Sequence, residues 1–490
     1  MLKRKIEDTL LRWKNNAEHR PMVIMGIRQC GKTFIARHFA AAHYKSVVYI
    51  NFIKQPERIG AFVGSKAVDD ILLNLSAQIA GVTFLPGETC FIFDEIQECP
   101  EARTALKFFK EDGRFDVIAT GSLLGVQGYG DEKKKQHRRL VGQHELGINS
   151  VPVGAEDIVE MYPLDFEEFL WANGISPEVI EALAKFYREE TPVPDGIHTA
   201  LRKLLNLYIA IGGLPDAVNA FLATNNMNEV SNVHKSILKE YRDDMVKYAP
   251  DKDKPHIREC FNSIPKQLAK ENKKFQYNKV KQGGRSDTYI GSLQWLEDAG
   301  IICRCYNTNI TTLPLEGNAK ENVFKVYVAD IGLLVEMLGT GTRADILHGY
   351  LGGFKGAIFE NLMADTLHKK AQNLYYFQKD SGLELDFLIR MNGECVPLEV
   401  KATSAKAKSA RTVLAHPEKY QVRHIIKFGD YNIGREGGLL TLPTYMQFLL
   451  NLEPENIVLE SINTDELTLL AKQAMGQADM GKRQKSNYSD

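Results

Sequence analysis

The sequence has no CxxC pair, and its seven cysteines (Cys30, Cys90, Cys99, Cys260, Cys303, Cys305, Cys395) are odd in number. That excludes the framework of a disulfide-stapled domain and the ligand spacing of a zinc site. Reduced thiols and a cytoplasmic location are expected instead. No apolar run approaches the roughly 20 residues of a bilayer-spanning helix. The start of the chain, with Lys3, Arg4, Lys5, Glu7 and Asp8, lacks the apolar stretch of a secretion signal, so no membrane partner is expected. There is no excess charge of either sign: 61 Lys and Arg stand against 62 Asp and Glu, a net charge of -1. Any contact with DNA or RNA must therefore come from a local basic patch.

What is present is length and alternation. At 490 residues the chain exceeds what one hydrophobic core usually organises. Residues 1–20 read as a helix carrying Ile6, Leu10, Leu11 and Trp13, followed by short apolar runs at 21–25, 46–52, 90–93 and 115–119 with helical stretches between them. That alternation predicts a parallel α/β sheet. The composition of a basic, polar stretch over 131–150 (Lys133, Lys134, Lys135, His137, Arg138, Arg139) predicts an exposed loop, either a solvated face or a binding surface. Residues 155–250 read as helical, broken at Gly212-Gly213-Leu214-Pro215. Two helices, 257–271 and 286–299, then precede strands at 301–306 and 323–328, the pattern of a winged helix, which binds DNA or pairs proteins. Trp171 and Trp295 are expected to fill cores.

Gly26-Ile27-Arg28-Gln29-Cys30-Gly31-Lys32-Thr33 matches G-x-x-x-x-G-K-[ST], placed between an apolar strand and a helix bearing Phe34, Ile35 and Phe39. In that setting the loop amides and the helix N-terminus cradle phosphate, Lys32 neutralises β/γ charge and Thr33 ligates Mg²⁺. Cys90-Phe91-Ile92-Phe93-Asp94-Glu95 delivers carboxylates to the same sheet edge, Asp94 for Mg²⁺ and Glu95 for the attacking water. Thr120 and Ser122 end the next strand, where they either reach the γ-phosphate or merely cap the strand. No Asn-Lys-x-Asp segment that would read guanine is present, so ATP is the expected nucleotide.

These segments, with Ala119-Thr120-Gly121-Ser122, Tyr162-Pro163-Leu164-Asp165-Phe166-Glu167-Glu168-Phe169 and Gly212-Gly213-Leu214-Pro215, resemble a prokaryotic AAA+ ATPase family whose C-terminal domain is of unknown function. The resemblance implies a P-loop AAA+ core over 1–175, a helical lid region over 176–250 and a winged-helix-like domain over 251–345. It further implies a restriction-endonuclease-like α/β domain over 346–455, with a helix and tail over 456–490. Nucleotide-dependent homo-oligomers are expected on the same ground. The Gly-Arg pair that members carry before Tyr-Pro-Leu is here Val153-Gly154-Ala155, which leaves Arg138 and Arg139 as the candidate arginine fingers.

Near the C-terminus, Asn392-Gly393 separates two alternating runs and predicts a hairpin with Met391 opposite Glu394. In that register Asp386 faces Glu399 and Glu384 faces Lys401. Two carboxylates with Cβ atoms roughly 5 Å apart repel unless a cation intervenes, which points to a divalent metal with Lys401 beside it. The set resembles the PD-(D/E)xK nucleases, in which Asp386 and Glu399 would hold Mg²⁺ or Mn²⁺, Lys401 would be catalytic and Glu360 would come from the preceding helix. The bland alternative is a solvated hairpin face or an inactive nuclease fold. Together these readings give two expectations: an ATPase that licenses a nuclease acting on DNA or RNA, as in defence, or an ATP-driven switch whose nuclease-like domain only binds a partner.

Overall fold

Apolar strands between turn residues build the first sheet. In the computed structural model, which describes all residues except 123–153, 250–252, 271–272, 351, 402–406, 453–467, 469 and 473–490, β1 (Met22–Met25) lies between Pro21 and Gly26 and is an inner strand of the sheet. Its neighbours are β2 (Ser46–Asn51), β3 (Thr89–Asp94), β4 (Asp116–Gly121) and β5 (Asp157–Glu160) in the order β2-β3-β4-β1-β5. All four pairings are parallel. Strands buried on both faces read as continuous apolar runs, as β3 does. Helices α1 (Ile6–Asn15), α2 (Lys32–His43), α3 (Val68–Gln78) and α4 (Pro100–Asp112) accompany the sheet. Beneath it Phe62 and Phe93 meet edge to face at 5.2 Å, as do Phe91 and Phe115 at 5.6 Å, arrangements worth roughly 1 kcal/mol beyond area burial.

β5 corrects the helical reading of 155–250. Asp157-Ile158-Val159-Glu160 is too short for its period to be diagnostic, and the open edge of β1 makes it a strand. Helices then follow: α5 (Phe166–Ala172), opened by a capping box between Asp165 and Glu168, α6 (Pro177–Glu189), α7 (Asp195–Ile211), α8 (Pro215–Thr224) and α9 (Met227–Lys247). The Gly-Gly-Leu-Pro segment divides α7 from α8 for a steric reason. A Cβ on Gly213 would lie 2.0 Å from the Leu164 carbonyl oxygen, and one on Gly212 (φ +76°) 2.4 Å from Asp330 Oδ1. Among the described residues no single helix is long and apolar enough to cross a membrane; α7 with α8 has the length and composition but is bent by 119°.

The second sheet has eight strands: β6 (Ile302–Thr308), β7 (Ala319–Val328), β8 (Leu374–Gln378), β9 (Glu384–Met391), β10 (Glu394–Val400), β11 (Ile425–Gly429), β12 (Gly434–Glu436) and β13 (Leu439–Pro443), ordered β12-β13-β11-β10-β9-β8-β6-β7. Helices α10 (Lys254–Leu268), α11 (Ser286–Asp298), α12 (Ile331–Leu338) and α13 (Lys355–Lys369) precede or cross it. β6 and β7 pair antiparallel, as a wing would, but β6 also pairs in parallel with β8. The expected boundary at 345/346 therefore cuts one sheet, because periodicity within β6 and β7 cannot reveal a third partner. The hairpin has the expected turn, with Asn392 at φ +52° and Gly393 at +73°, and the expected register from Met391↔Glu394 to Phe387↔Leu398. Residues 1–451 form one compact unit and 452–490 a second. Trp295 is buried, whereas Trp171 is half-buried and takes the Lys3 ammonium 4.8 Å from its ring centre, so it is not the core residue its type suggested.

Candidate functional site

Parallel strands bring three chain segments to one edge. The loop after β1 turns through Gly26 (φ +143°), Gln29 (φ +63°) and Gly31 (φ +101°) into α2. A Cβ at Gly26 would sit 2.1 Å from the Met161 carbonyl oxygen, so only glycine lets the loop pass that close to the chain after β5. Lys32 folds back over the loop, its Nζ donating to the carbonyls of Gly26 at 2.8 Å and Ile27 at 2.7 Å. Thr33 Oγ1 donates to Asp94 Oδ1 at 2.7 Å, and Thr120 Oγ1 donates to the same oxygen. Asp94 Oδ2 accepts from Tyr49 Oη at 2.8 Å and Asn51 Nδ2 at 2.6 Å. Every partner of this buried carboxylate is thus neutral. Glu95, held at φ +55°, accepts from Gln97 Nε2.

A cavity of about 580 Å³ opens here, lined by Arg28, Gln29, Gly31, Lys32, Thr33, Phe34, Glu95 and Ser122. Asp94 and Thr120 stand behind it through the hydrogen bonds above, while Ile27 and Cys30 are buried in the rear of the loop. Arg138 and Arg139 lie outside the described residues. For Mg²⁺ the donor set fits: a hydroxyl (Thr33) and a buried carboxylate (Asp94) already face each other, and Mg²⁺ ordinarily takes its remaining ligands from phosphate and water. Sequence reasoning missed several contributors, three of which matter most. Arg4, Pro215 and Glu240 also line the cavity, and Gln29 Nε2 donates to Glu240 at 2.5 Å. Arg28 pairs with Asp244 at 2.7 Å; burial, against that arginine, pushes the Asp244 carboxyl up to about 6. Only the Gly-Gly-Leu-Pro segment carried any signal for these.

The C-terminal set is arranged differently from its expectation. Glu360 on α13 is met by Lys273, by Lys325 at 3.5 Å and by Tyr327 Oη at 3.2 Å. Burial opposes its ionisation, but Lys325 and Lys273 overcome that and hold its carboxyl low. The ion pair of Glu384 is with Lys325, at 2.6 Å, and not with Lys401 as expected. Asp386 accepts the Val400 amide N–H at 2.7 Å, and Lys401 bridges the two expected metal ligands, 2.6 Å from Glu399 and 3.6 Å from Asp386. Burial and the neighbouring Asp386 push the Glu399 carboxyl upward. The cation that the facing carboxylates required is an ammonium group. Among the described residues no group of three or more His, Cys, Asp or Glu side chains is placed to hold a metal; at the pair Asp386 and Glu399 the place between the carboxylates is taken by the Lys401 ammonium.

Family models match three stretches of the chain: an AAA domain over 18–170, a domain of unknown function (DUF8612) over 202–344 and another (DUF4143) over 355–445. Residues 18–170 are accordingly a P-loop ATPase domain. No curated protein matches the chain. Among solved structures it is similar to a Walker-type ATPase of Pyrococcus abyssi, at 14% identity over 69% of this chain and 96% of that chain, with a TM-score of 0.39. It is also similar to a signal transduction ATPase with numerous domains and a tetratricopeptide repeat sensor from Pyrococcus horikoshii, at 13% identity over 76% of this chain and 46% of that chain, with a TM-score of 0.23.

Proposed function

We propose that this P-loop ATPase binds ATP with Mg²⁺ at the 26–33 loop, hydrolyses it, and uses the cycle as a switch whose C-terminal sheet binds a partner. The observation that supports the site most directly is the Thr33–Asp94 hydrogen bond beside Lys32 and Glu95 in one cavity. Lys32 would turn from the loop carbonyls to the β/γ-phosphates, and Thr33 and Asp94 would hold Mg²⁺, Asp94 through the metal's water shell. Mg²⁺ held there would supply positive charge against the phosphates. Glu95 accepts a proton as water attacks the γ-phosphorus and the bond to ADP breaks. ATP hydrolysis by the wild-type chain beside Lys32→Ala tests the assignment: turnover that survives the substitution would sink it.

The C-terminal reading rests on the lysine partners of Glu360, Glu384 and Glu399. Carboxylates paired with lysines from within the chain form a largely buried, charge-balanced cluster beneath the sheet surface that would meet a partner. One observation favours the nuclease alternative, namely that Asp386, Glu399 and Lys401 do converge. That alternative requires Lys401 to give way to Mg²⁺ or Mn²⁺, and calorimetric titration with either ion decides between the two. Mass measurement with and without ATP tests nucleotide-dependent assembly.

A further inference from the structure

Arg4 lies before α1 and outside the segment matched as an AAA domain, yet it is buried against the phosphate loop. Its Nη1 donates to the Cys30 carbonyl at 3.0 Å and its Nη2 to the Tyr162 carbonyl at 2.6 Å, while Nε lies 3.2 Å from Glu168. One guanidinium thus joins the loop, the segment after β5 and the capping box of α5. It also lines the nucleotide cavity, with Nη1 3.8 Å from where a Cβ on Gly31 would stand.

The geometry of a phosphate-cradling loop explains why such a group is needed. Amides that turn inward toward phosphate leave their carbonyls turned outward, and a buried carbonyl without a donor is costly. Cys30 sits between Gln29 and Gly31, both at positive φ, and is itself fully buried, so water cannot supply that donor. Only a planar fork reaches two carbonyls and a carboxylate at once; lysine offers a point charge on a flexible stem.

We infer that Arg4 is a positioning residue of the nucleotide site, fixing the Cys30 and Tyr162 carbonyls so that the phosphate loop is pre-shaped for the phosphates of ATP and ADP. This rests on the nucleotide-site reading above. The Glu168 contact anchors the guanidinium and contributes stability; the two carbonyl contacts shape the loop. The two functions therefore separate by substitution.

The experiment is calorimetric titration of the full chain with MgATP and MgADP, with melting temperatures, for wild type, Lys32→Ala, Arg4→Lys and Glu168→Gln. Arg4→Lys keeps a cation beside Glu168 and should melt nearer to wild type than Glu168→Gln does, yet its Kd for both nucleotides should rise roughly tenfold or more. Glu168→Gln should melt lower and bind both nucleotides within about twofold of wild type. Arg4→Lys binding like wild type would overturn the inference, as would affinity losses that track melting temperature across both variants. A wild-type chain that binds no nucleotide would instead condemn the site reading itself.

Discussion

The two charged centres of this molecule contain the same residue types, and their partners set them apart. At the phosphate loop the buried Asp94 is satisfied by Thr33, Tyr49, Asn51 and Thr120, all neutral, and Lys32 rests on main-chain carbonyls. In the C-terminal sheet Glu360, Glu384 and Glu399 are ion-paired with the ammonium groups of Lys273, Lys325 and Lys401. A hydroxyl can yield to a metal or its water without leaving a buried charge behind. A metal at the second centre would instead have to displace Lys401 from Glu399 and Asp386 and supply the charge that the ammonium now provides. Carboxylates near lysines thus make a site or a lock depending on what the lysines touch.

Substitutions can break that contrast. The largest effect is expected at Glu95→Gln, which keeps the shape at the cavity and loses the base: ATP should bind while kcat falls by about 10²–10⁴, measured by phosphate release. Normal turnover would move the base elsewhere. Lys325→Met comes next. It leaves Glu360 to Lys273 and Tyr327 and takes the lysine partner from the part-exposed Glu384, and should lower unfolding free energy by about 3 kcal/mol in denaturant titration while MgATP binding persists. Unchanged stability would mean that the cluster is no lock.

The smallest expected effect is a pH slope at Asp365, paired with Lys369 at 2.8 Å on the helix that also carries Glu360. Burial, partly offset by Lys369, pushes its carboxyl up to about 7 from 3.8. The folded state therefore keeps a proton that the unfolded chain has lost, so this contribution is full below pH ~4, fades as pH rises toward 7 and is level above it. Asp365→Asn should flatten that decline in chemical-denaturation curves taken from pH 4 to 8; an unaltered slope would assign it to another group.

Local pattern carried a good part of this. The phosphate loop has a fixed spacing, β3 is an unbroken apolar run ending in Asp94-Glu95, and Asn392-Gly393 fixes a hairpin register to the residue. What it could not carry were partners distant in the chain. Lys325 stands 35 residues before Glu360 and Arg4 is 158 before Tyr162, and neither distance leaves a periodic trace. Lys325 did leave a faint one, a lone lysine between Phe324 and Val326 in an otherwise apolar run. The repulsion between facing carboxylates in the hairpin calls for a cation without saying which, so the pattern alone could not tell a metal with Lys401 beside it from the Lys401 ammonium itself.

The most direct test of the contrast is incubation of plasmid, linear duplex, single-stranded DNA and RNA with the purified chain in Mg²⁺ or Mn²⁺, with and without ATP, beside Asp386→Ala. A lysine-locked cluster predicts that no substrate is cut under any of these conditions while ATP is still hydrolysed. Cleavage that Asp386→Ala removes would contradict it and make the C-terminal set a working metal site.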